Sequence, residues 1–196
     1  MELGEMFTAY GSDKQVRHWL ADTYARELES FRGEEGALCE IGVKIWCVEG
    51  WAGGSLRAWA EWLPEFKIVG IDIQQPALDK LREYAPMVET ICADQERPHE
   101  IFEALAAYAS AYDVIIDDGS HLPRHQIGCW QALWPLVRSG GLYIIEDLEG
   151  TGQEDTTTFT QLSRMAHDSV KGVARDFKVP LANITFCGDA CLIRKR

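Results

Sequence analysis

No apolar run in this sequence approaches the ~20 residues that span a bilayer, so no membrane helix is predicted. Positive charge is scarce. Lys and Arg total 19 against 31 Asp and Glu, for a net charge of −12, and such a surface repels phosphate backbones, which argues against nucleic acid as a partner. Cysteine never occurs in Cys-x-x-Cys spacing. Cys39, Cys47, Cys92, Cys129, Cys187 and Cys191 sit mostly inside apolar segments, and are expected to be reduced core residues rather than a zinc site. The opening "MELGEMFTAYGSDK" lacks the basic flank and apolar stretch of a secretory signal, so a cytoplasmic protein is expected.

What is present is the pattern of one globular domain. The 196 residues are 46% hydrophobic and 26% charged, enough for a sizeable core. From Lys14 to Arg32, Val16, Trp19, Leu20, Tyr24, Leu28 and Phe31 recur at helical spacing. Short apolar runs then alternate with amphipathic ones. Strands are predicted at 37–43, 67–73, 87–93, 113–117 and 141–147, and helices at 55–63, 76–85, 98–108, 121–137 and 159–173. Strands that are apolar throughout are buried on both faces, which means a parallel sheet with helices on both sides. The last segment, "NITFCGDACLIRKR", shows two apolar runs about Gly188-Asp189, the mark of a hairpin with an antiparallel last strand. The expected fold is thus a single α/β, Rossmann-like domain with a mostly parallel seven-stranded sheet. Residues 1–36 would form a helical cap region and 37–196 the core. The polar stretch 150–157, "GTGQEDTT", reads as a mobile loop near the site.

In an open parallel sheet, ligands bind beyond the carboxyl ends of the strands. Every predicted strand ends in an acid: Glu40, Asp72, Asp94 (followed by Gln95), the pair Asp117-Asp118, and the pair Glu146-Asp147. Crowded carboxylates repel and raise one another's pKa, so a cation or a hydroxyl-rich ligand should offset them. Asp72, ending the second strand, stands where an acid accepts hydrogen bonds from a ribose diol. Dinucleotide enzymes share that acid, but their first turn is a short G-x-G-x-x-G. Here the first turn, "GVKIWCVEGWAGGS", is long and carries Glu49. A nucleoside bearing a sulfonium and an amino acid, S-adenosylmethionine, fits it better.

The later acids fit a metal. Asp118, Glu146 and Asp147 converge from two adjacent strand ends, and hard carboxylate oxygens suit Mg²⁺. Such an ion lowers the pKa of a substrate hydroxyl, and His121 is placed to take the proton. An alternative stays open, in which Gly119-Ser120 is a helix N-cap and the acids complement the helix dipole. Trp19, Trp59, Trp62, Trp130 and Trp134 are expected in the core, while Trp46 and Trp51 lie in the first loop and are candidates to stack on a ligand. His18 is read as either an acceptor-pocket or a helix-surface residue, and His125 as either support for the site or surface.

The set "YGSDK…H" (Tyr10 to Lys14, His18), "EIGV…GGSLRAW" (Glu40 to Val43, Gly53 to Trp59), "GIDI" (Gly70 to Ile73), "ADQ" (Ala93 to Gln95), "IIDDGSH" (Ile115 to His121) and "GGLYIIEDLE" (Gly140 to Glu149) resembles the metal-dependent class I methyltransferases. Within these it is most similar to the macrolide-sugar O-methyltransferases acting on mycinamicin and tylosin compounds. The resemblance implies methyl transfer from S-adenosylmethionine to a sugar hydroxyl, with Mg²⁺ on Asp118, Glu146 and Asp147 and His121 as general base. It places the cofactor against Glu40, Gly42, Ser55, Asp72, Asp94 and Gln95, with Ser12 and Lys14 near its amino-acid end and Asp117 beside it. The implied partner is a small hydroxylated acceptor, another glycosylated natural product. Association with further copies of itself is left open, as are a catechol-like acceptor and a non-catalytic nucleoside-binding role. One departure is Lys44-Ile45-Trp46, which replaces the glycine-rich residues usual after "EIGV".

Overall fold

A computed structural model of the chain describes residues 1–15, 19–43, 53–149, 157–170 and 181–196. The sheet is built from β1 (Gly36–Ile41), β2 (Phe66–Asp72), β3 (Glu89–Cys92), β4 (Tyr112–Asp117), β5 (Val137–Ile145), β6 (Leu181–Cys187) and β7 (Ala190–Lys195), in the order β3-β2-β1-β4-β5-β7-β6. The first five pair in parallel, and β7 runs antiparallel to both β5 and β6. The expected seven-stranded, mostly parallel sheet with an antiparallel last strand is the one observed.

Alternation along the strands divides the core into two layers. Leu38, Val114, Ile116, Leu142 and Ile144 pack under α1 (Leu3–Ala9), α2 (Ala21–Leu28), α3 (Gly54–Trp62) and α4 (Gln75–Tyr84), through residues such as Phe7, Tyr24, Trp59 and Leu81. Cys39, Ile115, Tyr143, Ile145 and Ile193 face α5 (Pro98–Tyr108), α6 (Pro123–Leu133) and α7 (Thr158–Val170), through Leu105, Trp130 and Leu162. Burial of both faces is why β1 and β4 are apolar almost throughout. No described helix is long and apolar enough to cross a membrane.

Several local expectations are corrected. Helix α1 was not anticipated. Its Leu3, Met6 and Phe7, spaced i, i+3 and i+4, are buried, and Glu2 and Glu5 close a reciprocal cap at its start. The helix expected over Lys14 to Arg32 begins only at Ala21. Trp19 ahead of it has left-handed backbone (φ 54°) and is 74% exposed, so it is no core residue. Trp59, Trp62, Trp130 and Trp134 are buried as expected. Helix α6 starts at Pro123, whose missing N–H costs nothing at a helix start, so His121 lies before the helix rather than in it. Cys39, Cys92, Cys129, Cys187 and Cys191 are free thiols, and Cys92 is exposed. His18, the Lys44-Ile45-Trp46 segment, Cys47, Glu49, Trp51 and residues 150–156 lie outside the described residues.

Candidate active site at the carboxyl edge of the sheet

The register aligns the strand ends. Ile41 pairs with Ile71 and with Asp117, and Asp117 with Ile145. Between β1 and β4 the strand order switches, and a crevice opens there. It holds a cavity of about 220 Å³, walled by Ile41, Ile71, Ile73 and Ala93 on its apolar side and by Asp72, Asp94, Gln95, Asp118, Ser120 and His125 on its polar side. Gly42, at the end of β1, has φ 100°, and a Cβ there would lie 2.0 Å from the Asp118 carbonyl oxygen. Glycine is therefore what lets the ends of β1 and β4 approach.

Asp72 is fixed by two backbone donors. The N–H of Val43 donates to its Oδ2 at 2.9 Å and the N–H of Gln74 to its Oδ1 at 2.7 Å. Gln95 stands between the cavity and Asp117. Its Nε2 donates to Asp117 Oδ1 at 2.6 Å, and its Oε1 accepts the Ser120 N–H at 2.8 Å. Asp117 is fully buried, and burial pushes its carboxyl up to about 7. Ser120 Oγ and His125 Nδ1 share a hydrogen bond of 2.8 Å.

Beside the cavity lies a buried charge cluster. Lys14 Nζ is 2.6 Å from Asp118 Oδ2, 2.6 Å from Glu146 Oε1 and 3.6 Å from Glu40 Oε1. Burial alone would depress the ammonium pKa, but the carboxylates of Asp118, Glu146 and Glu40 hold it well above the usual lysine value. Glu40 also accepts hydrogen bonds from Ser55 Oγ (2.5 Å) and Trp59 Nε1 (2.6 Å), and Tyr24 donates its hydroxyl to Glu146 Oε1. Burial raises the carboxyls of both Glu40 and Glu146, and the charge of Asp118 adds to this.

On the open side, Asp118, His121 and Asp147 each offer a ligand atom, all within 4.8 Å of one another. His121 Nε2 lies 3.3 Å from Asp147 Oδ2, and its Nδ1 is buried with no hydrogen-bond partner. Both residues have left-handed backbone (φ 55° and 52°). Asp147 is held in this conformation from behind. Gln126 Nε2 donates to the Glu146 carbonyl at 2.7 Å, and Thr158 donates to Gln126 Oε1. The N–H of Phe159 donates to the Leu148 carbonyl, and that of Leu148 to the Asp189 carbonyl.

Of the residues singled out for the cofactor, Gly42, Asp72, Asp94 and Gln95 line the cavity. Asp117 lies behind Gln95. Glu40, Ser55 and Lys14 form the buried network that reaches the cavity through Asp118, and Ser12 is 6% exposed, with its Oγ accepting the Lys14 N–H at 3.4 Å. Of the residues singled out for the metal, Asp118 and Asp147 join His121, whereas the Glu146 carboxylate points to Lys14 and Tyr24. Sequence reasoning missed Tyr24, Ser120, Gln126 and the role of Trp59. Only Trp59 carried a signal, since it falls one turn after Ser55 on the same helix face. The carboxylates of Asp118 and Asp147, converging beside a polar cavity with the His121 imidazole next to them, fit a hard divalent cation.

The same fold occurs in solved structures. The MycE methyltransferase of the mycinamycin pathway, in complex with Mg, SAH and mycinamycin VI, superposes with a TM-score of 0.83 at 29% identity, over 100% of this chain and 54% of that one. This chain has the class I methyltransferase fold. Among curated methyltransferases it is 37% identical over 148 residues to demethylmacrocin O-methyltransferase of Streptomyces fradiae, covering 75% of this chain and 36% of that protein. It is 36% identical over 149 residues to mycinamicin VI 2''-O-methyltransferase of Micromonospora griseorubida, again covering 75% and 36%. It thus resembles the macrolide O-methyltransferases, as its motifs implied, and spans about a third of the length of these relatives. No family model matches the chain.

Proposed function

We propose that this class I methyltransferase chain transfers a methyl group from S-adenosylmethionine to a hydroxyl of a sugar on a natural product, with Mg²⁺ at the strand-end acids and His121 as general base. One observation carries the reading: the Asp118–His121–Asp147 cluster adjoins the cavity that Asp72 and Asp118 both line. The similarity to O-methyltransferases, and to a neighbour in complex with Mg, SAH and mycinamycin VI, supports it.

Each residue then has a task. The apolar walls from Ile41, Ile71, Ile73 and Ala93 take the flat base. Asp72, oriented by its two backbone donors, accepts the ribose hydroxyls. Asp94 and Gln95 close the polar edge, and Gln95 is locked by Asp117. Ser55, Trp59 and Lys14 hold the Glu40 carboxylate in place. Mg²⁺ bound at Asp118 and Asp147 supplies Lewis acidity to a hydroxyl oxygen. S-adenosylmethionine would supply the methyl group and depart as the thioether, and His121 Nε2 would take the proton that the acceptor hydroxyl gives up. We place this reaction in the cytoplasm, a reading supported by the free thiols of all five described cysteines.

A glycoside panel and a diphenol panel, each assayed with S-adenosylmethionine and Mg²⁺, test the reading. Methylated glycosides, lost on chelation with EDTA and restored by Mg²⁺, are expected. Turnover of diphenols alone would move the acceptor to the catechol class. Activity indifferent to EDTA would overturn the metal. The same preparation, run on a sizing column, reports whether the chain is a homo-oligomer.

A further inference from the structure

Lys14 has a place in the site that the methyl transfer leaves unexplained. Its side chain is 1% exposed, and its ammonium lies 2.6 Å from a carboxylate oxygen of both Asp118 and Glu146. A buried charge is tolerated only where it is matched, and here carboxylates from three strand ends match it. One of the three, Asp118, is a carboxylate assigned to Mg²⁺, and Glu146 shares the same ammonium with it. An ammonium and a divalent ion compete for the same lone pairs, and at so short a range they repel.

Resting on that metal assignment, we propose that Lys14 is the resident cation of the site. It holds Asp118 and Glu146 in the ion-free chain and releases them when a divalent ion arrives, so metal binding displaces the segment that carries Ser12 and Lys14. The displacement has somewhere to be felt. A Cβ on Gly54 would meet the Tyr10 carbonyl at 2.5 Å and the Ser12 nitrogen at 3.0 Å, so this segment lies directly on the first turn of α3. Its backbone is held by Ser12 N–H to the Phe7 carbonyl (2.8 Å) and Leu20 N–H to the Lys14 carbonyl (2.9 Å). Release of the Lys14 head group loosens a segment bonded at both ends and packed on the helix start that follows the first loop. The ion's arrival at β4 and β5 is thereby communicated to the opposite side of the crevice.

The test is a Mn²⁺ titration of the full chain followed by calorimetry, since Mn²⁺ accepts the same oxygen-rich sites. It is paired with hydrogen exchange of the wild-type chain with and without saturating Mn²⁺. Lys14→Met is expected to bind Mn²⁺ at least tenfold more tightly than wild type, and Mn²⁺ is expected to speed exchange at the Ser12 and Leu20 amides of wild type. Equal or weaker binding by Lys14→Met would make the lysine a support for the carboxylates and overturn the proposal. Exchange unchanged at saturating Mn²⁺ would overturn it as well, and decides alone if Lys14→Met does not fold. A wild-type chain that binds no Mn²⁺ would instead sink the metal assignment beneath it.

Discussion

His121 and Asp147 meet across the open side of the crevice, Nε2 to Oδ2 at 3.3 Å, each from a left-handed backbone position. L-residues other than Asn, Asp and Gly avoid that region, at a cost of roughly 1–2 kcal/mol, and such costs collect at functional sites. The pair separates base from ligand. His121→Ala is expected to lose about 10²–10⁴-fold in kcat, the usual weight of a general base, while still binding Mn²⁺ and S-adenosylhomocysteine. Asp147→Gly is expected to lose the metal without loss of thermal stability, since glycine adopts the left-handed backbone at least as readily as aspartate. Calorimetry and a melting curve read both. Near-full activity of His121→Ala at pH 7 would move the base elsewhere, with His125, which lines the cavity, the next candidate.

Asp72 ties β2 to the residues after β1 and α4's start while facing the cavity. Asp72→Asn keeps its size but sets an amide N–H₂ against donors. Binding of S-adenosylhomocysteine should weaken by about 1–3 kcal/mol, the weight of buried donors left unmatched, and the melting temperature should fall too. Titration calorimetry gives the first, and unchanged affinity would remove Asp72 from the cofactor's contacts.

Asp117 makes stability depend on pH. Its carboxyl is pushed up from 3.8 to about 7 by burial. The folded state therefore holds a proton that the unfolded chain releases, and the stability this contributes is full below pH 3.8 and lost as pH rises through 7. Asp117→Asn cannot ionise. Urea denaturation at a series of pH values should show wild type falling relative to the variant between about pH 4 and 7. Parallel curves would show that Asp117 ionises freely in the fold.

Trp59→Phe probes the Glu40 network. It keeps the aromatic contact with Phe7 (ring centroids 5.0 Å apart) but deletes the donor to Glu40 Oε2. A buried carboxylate oxygen that loses its donor costs about 1–3 kcal/mol, read as a shift in the urea midpoint. A shift below about 0.5 kcal/mol would mean that Ser55 and Lys14 satisfy Glu40 alone.

The strand-ending acids were legible because a buried parallel strand is an uninterrupted apolar run, and a carboxylate at its end breaks the pattern. Asp118 and Asp147 could be placed from that alone. Lys14 was placed only by the resemblance, near the cofactor, and its burial left no mark in the sequence because it arises only where β1, β4 and β5 bring Glu40, Asp118 and Glu146 to one point. Trp19 misled for the reverse reason. Its spacing matches a helix, but the chain turns left-handed there and leaves the ring in solvent. Gln126 gave no signal, because its partner is the backbone carbonyl of Glu146, and backbone partners leave no trace in side-chain patterning.

The Gln126–Thr158 clasp has a consequence for how such a chain can change. Together with the Phe159–Leu148 bond it closes the neck of the connection between β5 and α7. With the neck shut, the ends of the chain between Leu148 and Phe159 are already joined, as in a closed loop. Doubling the length of such a loop costs only about 0.6 kcal/mol. Changes in the length of that chain leave the left-handed turn at Asp147 held by the same bonds.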